Sequence, residues 1–338
     1  MSDDVVLEAR ELVKEYPIER GIVFRKRVGT VHAVDGVSFT LHRGRTLALV
    51  GESGCGKSTV GRLLIGLEPP TSGTVVVDGT DLATLSRKAL AASRRDIQII
   101  LQDPYTSLDP RMTVGAIIGE PFDIHPDALP AGRSKKQAVA DLMDRVGLNP
   151  EFVNRYPHQF SGGQRQRIGI ARALALQPHI LVADEPVSAL DVSIQAQVMN
   201  LLMDLRDELG LSYVFVSHDL AVVRQIADTI AVMYLGRIVE YGPADDIYRA
   251  PRHPYTVALL SAVPVADPVV QHARERIRLS GDLPSPADPP SGCHFRTRCW
   301  KAADLCAQEQ PPLRQLDGAG LVACHFPVPV ETAEAAAP

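Results

Sequence analysis

The sequence predicts an α/β fold built around a phosphate-binding loop, and three observations predict it. An apolar run, Thr46, Leu47, Ala48, Leu49 and Val50, leads into Gly51, Glu52, Ser53, Gly54, Cys55, Gly56, Lys57, Ser58 and Thr59, which spells G-x-x-x-x-G-K-S. A helical pattern follows at once, so strand, glycine loop and helix come in the order such a loop requires. Further on, the apolar run Ile180, Leu181, Val182, Ala183 ends on two adjacent carboxylates, Asp184 and Glu185.

The composition fits a globular protein of about two domains, with 338 residues of which 45% are hydrophobic. A net charge of -5 supplies no basic stripe and argues against nucleic acid as the main partner. No apolar run reaches the roughly 18 residues of a membrane span, and the first residues lack the pattern of a signal peptide. A cytosolic location is the expectation, with any membrane contact made through a partner. Of the five cysteines, Cys293, Cys299, Cys306 and Cys324 crowd into the C-terminal part of the chain. In a reducing compartment such crowding suggests a metal more than disulfides.

Along the chain, residues 5–16 read as a first strand and 18–29, with Arg20, Arg25, Lys26 and Arg27, as a basic loop on a solvated face. Val34, Val37, Phe39 and Leu41 alternate like a half-buried strand, giving an antiparallel β start beside the α/β core. Residues 69–73 make a turn, 74–77 a short strand, Asp78 and Gly79 a hairpin signal, 82–93 a helix and 97–101 a buried strand. A helical insert then interrupts the sheet, with Ser134 and Gln137 spaced as a capping box. Ser161, Gly162, Gly163 and Gln164 open another helix, Asp191 caps a long one stopped by Gly210, and strands are expected over 212–216, 229–234 and 237–241. Prolines thicken after Pro251, marking a separate C-terminal extension over 251–328 and a disordered, Ala-rich tail over 329–338.

The residue types account for a chemistry. Glycines let successive N–H groups converge on a polyphosphate, Lys57 adds a point charge for the β and γ phosphates, the Ser58 hydroxyl holds Mg²⁺, and Thr59 sits near the α phosphate. Asp184, at the tip of a buried strand, can hold Mg²⁺ directly or through water, while Glu185 beside it is placed to activate a hydrolytic water. Cys55 fills an x position as a small residue without chemistry. The start of the helix at Ser161 offers N–H groups and a hydroxyl as a second anion site, too far along the chain and on the wrong subdomain to serve the same nucleotide.

On these motifs the chain, over about residues 5–245, resembles the nucleotide-binding subunits of ABC transporters. The resemblance implies a RecA-like parallel sheet with an antiparallel β subdomain and a helical signature subdomain at about 103–175, the whole ATPase domain spanning 1–250. It gives roles to Tyr16 (stacking on adenine), Gln102 (γ-phosphate sensing, beside Mg²⁺), Ser161 to Gln164 (the signature), Asp191 (the loop after the carboxylate strand) and His218 (the switch histidine). Phe160 stands where the family has leucine, a departure an apolar packing position tolerates. It further implies that two ATP molecules are sandwiched between two such domains, each signature closing on the other's nucleotide.

Within that superfamily the chain is most similar to the ATPase subunits of bacterial dipeptide and oligopeptide importers. The segments that carry this are the basic stretch before Val31, the run from Gln102 to Thr113, the run from Glu185 to Gln197, and the tail from His253 to Phe326. The expected assembly is a second, unlike ATPase, two transmembrane permeases and an extracytoplasmic peptide-binding protein, with this chain on the cytoplasmic face of the membrane. The alternatives are a soluble ABC-type ATPase acting on DNA, an exporter subunit, and an importer of nickel or glutathione. The four clustered cysteines are spaced by five, six and seventeen residues, which fails the usual zinc spacing and suits a [4Fe-4S] cluster, as in some importers that share this tail. Zinc and four unliganded thiols are the competing readings.

Overall fold

The computed structural model describes residues 4–21, 26–103, 106–264, 276–316 and 320–329. From residue 330 the expected disordered tail lies outside them, as does Arg25 of the basic stretch. The chain begins with β1 (Val5–Arg20), β2 (Lys26–His42), β3 (Thr46–Val50), α1 (Lys57–Leu64), β4 (Ser72–Val77), β5 (Thr80–Asp81), α2 (Arg87–Ser93) and β6 (Ile97–Ile100). The helical insert follows as α3 (Val114–Ile124), α4 (Lys135–Arg145) and α5 (Gly162–Leu174). Then come β7 (Ile180–Asp184), α6 (Val192–Leu209), β8 (Ser212–Ser217), α7 (Leu220–Ile226), β9 (Thr229–Tyr234) and β10 (Arg237–Pro243). Beyond them lie α8 (Ala244–Arg249), α9 (Pro254–Ser261), α10 (Asp304–Gln308), β11 (Arg314–Gln315) and β12 (Leu321–Val322).

Two sheets result. The antiparallel one has the order β2-β1-β4-β5; the other has the order β11-β12-β10-β9-β3-β8-β7-β6, parallel from β6 through β9. Every residue of β3, β7 and β8 is buried, which is why these strands read as unbroken apolar runs: layers cover both faces. One core fills the space between the antiparallel sheet and the face of the main sheet that carries α1, around Leu7, Val37, Val60, Leu63, Val182 and Val216. The other lies under the insert, around Ile118, Met143, Ile168, Leu181, Phe215 and Phe295.

Caps follow the local chemistry. Ser134 and Gln137 close a capping box at α4, and Gly210 ends α6 in the left-handed conformation. Asp191 occupies the N-cap position of α6 without a side-chain cap bond, so the capping role expected of it is not realised.

Two expectations change. The two ends of the basic stretch expected as a loop over 18–29 are strand, paired as Ile18 with Gly29, Glu19 with Arg27 and Arg20 with Lys26, while residues 22–25 lie outside the described residues. An arm exposed on its faces needs no apolar alternation, so the period that marks a strand is missing. The region beyond 250 is not separate from the core either: β12 pairs antiparallel with β10 through Glu240–Val322 and Tyr241–Leu321 and carries β11 outward, so the extension lengthens the main sheet.

Candidate nucleotide site

Residues 51–56 link the end of β3 to the start of α1, and two glycines there answer to local space. A Cβ on Gly51, at φ 154°, would lie 2.2 Å from the Met233 carbonyl oxygen, and one on Gly56, at φ 106°, 2.1 Å from that of Ala33. Cys55 is 1% exposed and belongs to the apolar core, its thiol pushed up by burial. Lys57 is buried, and its Nζ donates to the carbonyls of Gly51 (2.7 Å) and Glu52 (2.9 Å), which hold the ammonium inside the curl of the loop.

The carboxylate strand meets this loop from the next position but one in the sheet. The Ser58 hydroxyl donates to Asp184 Oδ1 at 2.9 Å. Burial raises the Asp184 carboxyl above its ordinary range, partly offset by the Ser58 bond. A divalent cation between the hydroxyl and that carboxylate would reverse this cost, and two oxygen donors side by side fit Mg²⁺, which keeps water and phosphate as its other ligands.

Glu185 has φ 46°, a strained conformation for a residue with a side chain, just past the end of β7. Its carboxylate is gripped from both sides: Gln102 Nε2 donates to Oε2 at 2.8 Å, and His218 Nδ1 lies 3.1 Å from Oε1, a contact that calls for the proton on Nδ1. Gln102, expected beside the cation, is thus tied to Glu185 rather than to Ser58 or Asp184. Ser53, Gly54, Gly56, Lys57, Ser58 and Thr59 open onto one cleft with Gln102 and Glu185, and Val31, Ala33 and Pro286 complete its walls. The arrangement can hold a polyphosphate with its cation and place a carboxylate beside the terminal phosphate.

Tyr16 stands at the edge of the site: its hydroxyl donates to Glu68 at 2.5 Å beside Lys14, and the Thr59 side chain hydrogen-bonds to it. Two other expected groups are not among the residues that line the cleft. Ser161 and Gln164 close a capping box at α5, Ser161 Oγ accepting from the Gln164 N–H and Gln164 Oε1 from the Ser161 N–H, so the hydroxyl offered to an anion also caps its own helix. Gly163 is packed against Ile194, and a Cβ there would come within 2.3 Å of its Cγ2. Asp191 is exposed.

The four C-terminal cysteines come into one neighbourhood: each of the Cys293, Cys299 and Cys324 thiols is pushed up, first by burial and then by other members of the set, Cys324 to about 11. All four are free thiols. Among the described residues, however, no three His, Cys, Asp or Glu side chains form a group that could hold a metal ion. The [4Fe-4S] expectation, like zinc, therefore finds no support in the geometry. Burial favours the protonated thiol, whereas a metal ligand must be a thiolate.

Sequence reasoning missed Pro286 on the cleft wall, and Tyr255 and Arg298, which bind Glu52 of the loop. They lie far from the loop in sequence and belong to no motif that spacing could reveal.

A strand, glycine loop and helix facing a second strand that ends in paired carboxylates define a P-loop nucleotide-binding fold. Residues 34–188 match the ABC transporter family, and residues 239–306 match the C-terminal region of oligopeptide/dipeptide transporters. The oligopeptide transport ATP-binding protein AppF of Bacillus subtilis is 52% identical over 96% of this chain and 98% of its own. The dipeptide transport ATP-binding protein DppF of Escherichia coli is 54% identical over 94% of this chain and 93% of its own. Among solved structures, the ATP-binding cassette MJ0796, a dimer in a post-hydrolysis state with ADP and Pi, superposes with a TM-score of 0.62 at 29% identity, over 70% of this chain and 98% of that one. The chain belongs to the ATP-binding subunits of the oligopeptide/dipeptide ABC transporters.

Proposed function

We propose that the chain hydrolyses ATP to power the import of peptides across the bacterial cytoplasmic membrane. The observation that carries this is similarity over nearly the whole length, extension included, to proteins named for oligopeptide and dipeptide transport. The site supports the ATPase half. Lys57 and the loop N–H groups take the phosphates, Ser58 and Asp184 take Mg²⁺, and Glu185 takes a proton from the attacking water while Gln102 and His218 orient it.

The remaining roles belong to the same proposal. Tyr16 stacks on adenine, and Ser161, Gly162, Gly163 and Gln164, with Asp191, face the nucleotide of a second, unlike ATPase subunit. Two permeases anchor the pair to the membrane, and an extracytoplasmic binding protein delivers the peptide. Among the described residues no helix is long and apolar enough to cross a membrane, which agrees with an anchor supplied by others. The ATPase domain takes residues 1–250 and the extension 251–328. The cysteine spacing alone supports a structural [4Fe-4S] cluster on Cys293, Cys299, Cys306 and Cys324. Anaerobic purification with iron and sulfide analysis tests it, and a colourless protein holding neither removes it.

The experiment for the function as a whole is reconstitution with both permeases and the second ATPase in vesicles. ATP inside should drive peptide uptake, and Lys57→Ala should stop uptake and ATP binding together. Uptake that survives this substitution contradicts the reading.

A further inference from the structure

Glu52, the second residue of the phosphate loop, is held at three points. Its carbonyl accepts from Lys57 Nζ (2.9 Å) within the loop itself. Its backbone N–H donates to the Tyr255 hydroxyl at 2.8 Å, and its carboxylate receives Arg298 Nη1 at 2.7 Å. Two of the three anchors thus come from beyond residue 250, outside the part of the chain that carries the nucleotide motifs.

Those anchors are themselves fixed. Tyr255 is fully buried on the first turn of α9, its ring 4.8 Å from that of Tyr234 and 5.4 Å from that of Phe295. Phe295, 1% exposed, also stands edge-on to Tyr234 at 5.1 Å. Arg298 follows it in a turn whose N–H returns to the Phe295 carbonyl, and its side chain is only 10% exposed, against 27% for Glu52. An ion pair so shielded from water is directional and resists screening, unlike one on an open surface. The same extension reaches the cleft a second time: the Pro286 carbonyl accepts the His32 N–H at 2.9 Å, and Pro286 forms part of the wall.

A glycine-rich loop pays an ordering cost when it closes on phosphates, and whatever holds it in shape beforehand lowers that cost. We propose that Arg298 is a positioning residue for nucleotide binding: through Glu52 it fixes the phosphate loop in its receiving shape, so that the C-terminal extension sets the affinity for ATP. The inference rests on the ATP-binding reading of the cleft. Because coupling free energies are reciprocal, a nucleotide in the loop must in turn tighten the extension around residues 293–306.

The test uses the full chain and four variants. Arg298→Gln removes the charge at similar length, Arg298→Lys restores the charge without the planar fork, Glu52→Gln removes the partner charge, and the fourth joins Arg298→Gln to Glu52→Gln. Arg298→Gln should raise the KM for ATP and the Kd for ADP about tenfold while kcat at saturating ATP falls less than about threefold, the mark of lost ground-state positioning. Arg298→Lys should recover part of the affinity, and the double variant should bind no worse than the weaker single one. In hydrogen exchange, ADP should protect residues 293–306 of the wild type and fail to do so in Arg298→Gln. If Arg298→Gln does not fold, Arg298→Lys and Glu52→Gln carry the same comparison. Wild-type KM in the folded variants, or full additivity in the double one, overturns the proposal while leaving the nucleotide site intact. A wild-type chain that binds no ATP overturns the parent reading and this one with it.

Discussion

Glu185 and His253 show how far single side chains answer for the behaviour of the protein. Glu185 sits in a left-handed conformation with both carboxylate oxygens engaged, so the strain of its backbone is matched by a fixed direction for its charge. His253 is fully buried at the N-cap of α9, where its Nδ1 accepts the Tyr255 N–H, and burial pushes its pKa down to about 3. The unfolded chain takes up a proton there near pH 6.5, the folded one only near 3. The contribution of His253 to stability is therefore intact above pH 6.5 and is lost as the pH falls toward 3, at a slope of about 1.4 kcal/mol per pH unit. Denaturant unfolding between pH 6.5 and 5 should show that slope in the wild type and lose it in His253→Asn, which keeps a side-chain acceptor for the cap. Equal slopes would mean that His253 titrates normally in the folded state. At Gly51 the prediction is steric: Gly51→Ala forces a Cβ onto the Met233 carbonyl, and ATP binding should fall below detection by calorimetry while the antiparallel sheet stays folded.

At the scale of elements, the extension is where packing carries most. Phe295 joins the aromatic group of Tyr234, Tyr255 and His253 under the main core, so Phe295→Ala should cost about 3–5 kcal/mol in denaturant unfolding. A cost under 1 kcal/mol would mean that the extension is only laid against the core. The same elements mark what could be read from the sequence. The phosphate loop, the carboxylate strand and the capping box at α4 were legible because each is local: a few residues fix the backbone, and their spacing is the signal. The hairpin arm was not, since its charged residues have no apolar face to alternate. Neither were β11 and β12, which are two residues each: β12 takes its register from β10, and β11 from β12. The Arg298–Glu52 pair joins residues 246 apart, and only the folded chain brings them together.

For the molecule as a whole, the cleft is incomplete in one respect: the loop, Gln102 and Glu185 line it, with Asp184 joined to Ser58 and His218 to Glu185, but Ser161 at its helix start is not among the lining residues. The isolated chain should accordingly hydrolyse ATP slowly, lacking donors on one side of the γ phosphate, and co-assembly with a second ATPase subunit and permeases should raise the rate by about 10²–10³-fold, the effect of restoring a missing transition-state donor. An isolated chain as fast as the assembly would remove the composite site. The central claim, that Glu185 drives hydrolysis of a nucleotide bound by the Lys57 loop, is tested most directly by ATP turnover and ATP binding in the assembled Glu185→Gln variant. Turnover should fall by about 10²–10⁴-fold, the range for loss of a general base, with ATP still retained on the protein. Turnover at the wild-type rate would contradict the account.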